Sequence, residues 1–73
     1  MDTENAIVPG TRLREARAAA GLSRIELEEK SGVGRFIIKA YEVGRRDINI
    51  ARVDIVLALA QALNCKIEDL LDK

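Results

Sequence analysis

The chain has 73 residues, 48% of them apolar, and equal numbers of acidic and basic side chains give a formal net charge of zero. That length supports one domain, with a single core that is only marginally sufficient. Cys65 stands alone, which excludes an intramolecular disulfide; no histidine and only two serines leave no paired nucleophile and base for an enzyme.

Residues 1–8 are expected to form a flexible tail ahead of a domain spanning 9–73. The chain does not begin with a basic stretch followed by an apolar run, so no signal peptide is expected. No segment is long and apolar enough to cross a membrane. With its unpaired cysteine, the chain reads as a cytoplasmic protein.

The first helix is predicted at about 10–20, where Leu13, Ala16, Arg17 and Ala20 share a face. Gly21 stops it. Ser23 and Glu26 then have the spacing of a capping box, in which each side chain satisfies a free backbone N–H at the start of a second helix. That helix is short, about 24–30, and directs Leu27 inward. Gly32 supplies the positive φ that a tight turn needs. A third helix is predicted at 35–42, with Ile38 and Tyr41 inward at i, i+3, and Gly44 ends it. After a polar loop, Asn49 is placed to cap a fourth helix at about 50–63, which Asn64 closes. Residues 67–72 are expected to add a short fifth helix.

The fourth helix is apolar on more than one side. Ile50, Val53, Leu57, Ala60 and Leu63 form one stripe; Ile55, Val56, Leu59 and Ala62 form another. A domain this small cannot bury both, so the second stripe is expected to meet a partner subunit through Ile55, Leu59 and Ala62. No strand is predicted. The fold class is therefore all-α, a compact bundle of five short helices.

Charge is unevenly distributed. Residues 1–11 carry −2, residues 12–52 carry +4 and residues 53–73 carry −2. A solvated surface explains the basic middle as well as phosphate binding does. The spacing of the apolar positions tips that balance. Leu27, Gly32, Val33, Ile38 and Tyr41 lie where a helix-turn-helix needs its packing residues and its turn.

The ordered set Arg12-Leu13-Arg14-Glu15-Ala16-Arg17, Gly21-Leu22-Ser23, Glu26-Leu27, Gly32-Val33, Ile38 and Glu42-x-Gly44-Arg45-Arg46 resembles the Cro/phage-repressor, or XRE-type, helix-turn-helix regulators. The likeness continues through Leu57-Ala58-Leu59-Ala60-Gln61-Ala62-Leu63 to Ile67-Glu68-Asp69-Leu70-Leu71. It implies a DNA-binding transcriptional regulator, a dimeric repressor reading a palindromic operator in double-stranded DNA. It implies neither metal nor small-molecule cofactor.

Under that resemblance Arg35, Phe36, Lys39 and Ala40 fall where members present side chains to base edges. Arg24, Gly34, Arg45 and Arg46 fall where members meet phosphate. Arg35 can make a two-pronged contact to guanine, and Phe36 can pack on a thymine methyl. Ala40 offers no hydrogen bond to a base. Arg17 and Glu42 match a pair that members join as a buried salt bridge between the first and third helices.

Two departures from the family pattern carry expectations of their own. Glu28 stands where a small residue usually lets the two motif helices approach, so its carboxylate must reach solvent or a cation. Gly34 stands where serine or threonine normally caps the reading helix. The competing reading is an antitoxin-like or adaptor module that uses the same fold mainly to bind another protein. Cys65 reads as a small buried hydrophobe rather than a redox sensor.

Overall fold

The computed structural model describes residues 10–71, so the tail expected at 1–8 lies outside the described residues. Four α-helices follow one another: α1 (Thr11–Ala19), α2 (Arg24–Ser31), α3 (Arg35–Glu42) and α4 (Val53–Leu63). Short 3₁₀ turns at Ile48–Ile50 and Ile67–Asp69 flank α4, and no strand occurs among the described residues.

The start of α2 is fixed by local chemistry. Ser23 Oγ accepts from the Glu26 N–H at 3.1 Å, and the Ser23 N–H donates to Glu26 Oε1 at 2.8 Å. The helix ends at Gly32, whose φ of 78° is a conformation that a side chain would strain. Only three residues (Gly32, Val33 and Gly34) then separate α2 from α3, and Val33 turns into the core as the chain redirects.

Each helix contributes to one core. Leu13 comes from α1, Leu27 from α2, Ile38 and Tyr41 from α3, and Val56, Leu59, Ala60 and Leu63 from α4. Ile48 and Leu70, from the segments on either side of α4, complete it. α2 packs against both α3 and α4, and α1 packs against α3. The α2–turn–α3 pair is thus braced from behind by α4 and from the side by α1.

The bundle has four helices rather than five. After Lys66 the chain makes a single 3₁₀ turn, with the Leu70 N–H bonded to the Ile67 carbonyl at 2.9 Å. Leu70 is fully buried at its end. Burying that leucine needs one tight turn, and nothing in the segment supports a longer helix.

α4 begins at Val53, later than the pattern predicted. Ala51 and Arg52 have ψ of 155° and 141°, so extended backbone separates Ile50 from the helical register. Asn49 does not cap α4. Instead its N–H donates to Asp47 Oδ1 at 2.9 Å, so that Asp47 caps the start of the 3₁₀ turn. The core takes Val56 and Leu59 from one predicted stripe and Ala60 and Leu63 from the other. The exposed apolar edge is Ile50, Val53 and Leu57, at 83%, 71% and 43% exposure. Leu59 is fully buried in the core of its own chain, so it has no surface left to offer a partner. Ile55 and Ala62 are half-buried.

Candidate nucleic-acid interface

The amphipathic pattern of an eight-residue helix sets the orientation of α3. Ile38 and Tyr41 are its buried apolar positions, with Glu42 buried beside Tyr41, so Arg35, Phe36 and Lys39 face outward. Phe36 is 75% exposed, an extreme value for a large aromatic ring. Lys39 is exposed beside it and Ala40 is half-buried. Phe36, Lys39, Ala40, Val43 and Arg45 together line one open recess along the outer side of the helix.

Arg35 stands at the first turn of α3. Its guanidinium carbon lies 5.2 Å from the centroid of the Phe36 ring, a cation–π arrangement. Its Nη1 donates to Glu28 Oε1 at 3.0 Å across the turn between the motif helices. Glu28 therefore meets the cation its position requires, and the pair stays partly open to solvent. Gly34 at the N-cap makes no side-chain capping bond, as glycine must.

Arg45 and Arg46 are exposed just beyond α3. Their backbone N–H groups both donate to the Ala40 carbonyl, at 2.8 and 3.1 Å. The loop is thereby folded back onto the end of the helix, and the two charges are held beside its outer face.

Behind this face lies a buried ionic joint. Glu42 is 1% exposed. Arg17 Nε donates to its Oε2 at 2.7 Å, and Arg17 Nη2 donates to its Oε1 at 3.0 Å, so the contact is two-pronged. Arg17 Nη1 also donates to the Leu22 carbonyl at 2.9 Å. The hydrogen bond to Glu42 holds the Arg17 guanidinium above its ordinary pKa, outweighing the lowering effect of burial. Arg24 joins the same carboxylate, with its Nε donating to Oε1 at 2.9 Å. One carboxylate thus ties α1, the start of α2 and the end of α3 together.

Residue spacing gave no sign of the Arg24–Glu42 contact, since these residues lie on separate helices and share no periodicity. The exposed trio Ile50, Val53 and Leu57 had only a sparse signal, Asp54 and Gln61 seven residues apart on the outer side of α4. The Glu28–Arg35 pair did leave a signal, a carboxylate at a packing position that demanded a cation. Cys65 is half-buried, and burial, with the nearby Asp69, pushes its thiol pKa up. No group of residues suited to hold a metal ion occurs among the described residues. No helix among them is long and apolar enough to cross a membrane.

Residues 13–70 match the family described as Helix-turn-helix. Among solved structures, the chain is similar to the restriction-modification controller protein C.AhdI from Aeromonas hydrophila. That match has 37% identity and a TM-score of 0.75, and covers 85% of this chain and 89% of that one. It is also similar to the DNA-binding domain of BldD, at 31% identity and a TM-score of 0.71, over 99% of this chain and 100% of that one. A third likeness is to SinR, the master regulator for biofilm formation, in complex with DNA. It has 25% identity and a TM-score of 0.78, over 86% of this chain and 97% of that one. Comparison with curated protein sequences finds no match.

Proposed function

The chain belongs to the XRE-type helix-turn-helix family of DNA-binding transcription regulators, and on that premise we propose that it is a homodimeric repressor reading a palindromic operator through α3. The observation that carries this reading is the outer face of α3, where Arg35, Phe36 and Lys39 project from a helix locked from behind. The solved complex of SinR with DNA supports DNA as the partner. Binding then takes place in the cytoplasm, and involves recognition rather than catalysis.

Two kinds of contact divide the work. Arg24, Arg45 and Arg46, with the backbone of Gly34, meet phosphate and set register; Arg35, Phe36, Lys39 and the small Ala40 face the base edges. Arg35→Ala is expected to relax preference at one base pair by about 1–3 kcal/mol, while Arg45→Ala weakens all sites alike and lowers the salt slope by about one. Binding titrations on an operator and its single-base variants, over a salt series, check both. Equal losses for the two variants on every sequence would dissolve the division.

The dimer surface we infer is the exposed edge of Ile50, Val53 and Leu57, with the half-buried Ile55 and Ala62 beside it. A chain with a core this small gains from covering such an edge with a second copy. Val53→Glu should halve the mass seen by light scattering and weaken operator binding about a hundredfold or more, because one half-site then binds without its partner. An unchanged mass would locate the interface elsewhere.

The overall test is selection of binding sites by the purified protein from a random duplex library at moderate salt. A palindrome with half-sites about one helical turn apart is the expected product. Salt-sensitive background binding with no enriched sequence would favour the antitoxin-like or adaptor reading, with the Ile50, Val53 and Leu57 edge docking a different protein.

A further inference from the structure

Arg35 is held from two sides before any DNA arrives. Glu28 of α2 engages Nη1 at 3.0 Å, and the Phe36 ring of α3 lies under the guanidinium at 5.2 Å. The ion pair uses one oxygen of the carboxylate and one nitrogen of the fork. Among the described residues this leaves the Nε–Nη2 edge for a second, two-pronged contact. Both side chains remain within reach of solvent, at 46% and 35% exposure.

The carboxylate discriminates between the two things an arginine can grip on DNA. A phosphate is an anion, and a second anion beside the arginine repels it; a guanine edge carries no net charge, and its O6 and N7 acceptors are repelled far less. Holding Arg35 in one place also removes part of the ordering cost that a free arginine incurs on binding. Phosphate contacts carry no sequence information, so an arginine withheld from phosphate contributes more to discrimination than to raw affinity.

We propose that Glu28 is a positioning residue for base reading, which orients Arg35 toward a guanine and biases it away from phosphate. This rests on the reading of α3 as the base-contacting helix. Glu28 thereby sets the ratio of operator to non-operator affinity.

The experiment uses the whole chain carrying Glu28→Gln, Glu28→Asp and Arg35→Ala, singly, and Glu28→Gln with Arg35→Ala together. Each is titrated by fluorescence anisotropy against the selected operator, its single-base variants and a random duplex over a potassium chloride series. Circular dichroism verifies that each variant is folded. Glu28→Gln is expected to tighten random-duplex binding about threefold and to steepen the salt slope by about 0.9, the signature of one added phosphate contact. It should also cut discrimination at the Arg35 base pair about fivefold, leaving other positions unchanged. Glu28→Asp keeps the charge but shortens the reach, so it should lose discrimination at that pair without the gain in random-duplex binding. With Arg35 already removed, Glu28→Gln should change nothing.

The same gain with and without Arg35 would overturn the proposal, because Glu28 would then act on DNA only through its general field. Full discrimination in both Glu28 variants would overturn it too. If Arg35→Ala weakens every sequence equally, the base-reading role of α3 is what fails, and Glu28 has nothing to position.

Discussion

Glu42→Ala is expected to destabilise the domain by about 3–5 kcal/mol, since it leaves buried charge without its partner. Glu42 is 1% exposed and receives three guanidinium donors, two from Arg17 and one from Arg24. Without the carboxylate, Arg17 keeps only its bond to the Leu22 carbonyl, in a joint largely shielded from water. The loss is a large share of the stability of a domain this small, where the total is about 5–15 kcal/mol. Urea denaturation followed by circular dichroism measures it directly. Arg24→Ala should lose far less, because Arg24 is more open to solvent and Glu42 keeps the whole Arg17 fork. Similar small losses for both variants would show that the joint is screened by water.

Gly10→Ala is expected to be comparably severe, for a different reason. Gly10 caps α1 with φ of 83°, and an added Cβ would lie inside the Tyr41 carbonyl oxygen and 2.7 Å from Glu42 Cα. No flexible side chain is available to yield, because the obstacle is the backbone of α3. A left-handed backbone costs an alanine about 1–2 kcal/mol, and forced overpacking adds about 1–3 kcal/mol. Thermal melting should show a fall in Tm of about 10 °C or more. Gly32→Ala supplies the comparison. Its φ is nearly the same, 78°, but nothing lies within 4 Å of the added Cβ. The difference between the two variants therefore isolates the collision. Equal losses would mean that α1 shifts freely against α3.

These two positions also show where reading the sequence stops. The ends of α2 and the start of α3 could be placed because local chemistry sets them. Ser23 and Glu26 satisfy each other within one turn, and Gly32 takes a conformation that its neighbours do not impose. The outer face of α3 followed from the same kind of argument, since burying Ile38 and Tyr41 leaves Phe36 and Lys39 outside.

The rotation of α4 was not legible. The polar side of α4 is only two residues, Asp54 and Gln61 at i, i+7, too sparse a signal against nine apolar neighbours to fix the rotation that buries Val56, Leu59, Ala60 and Leu63. That choice moved Leu59 into the core and left Val53 and Leu57 outside. The fifth helix failed because one buried leucine, Leu70, needs only a single turn to reach its place. The partner of Arg24 and the demand for glycine at position 10 both depend on what another helix brings alongside. Neither has a signature within its own few residues.

The burial of Tyr41 gives the protein a spectroscopic handle. It is the only tyrosine, and the chain has no tryptophan. Excited at wavelengths where Phe36 does not absorb, intrinsic emission therefore comes from a single ring, 3% exposed, in the helix that carries the outer face and one residue before the shared carboxylate. Quenching and lifetime of that emission, and the tyrosine band of the near-ultraviolet dichroism, report on one place in the unlabelled protein. A signal that changes while far-ultraviolet helicity holds steady would mark α3 loosening from its seat without unwinding.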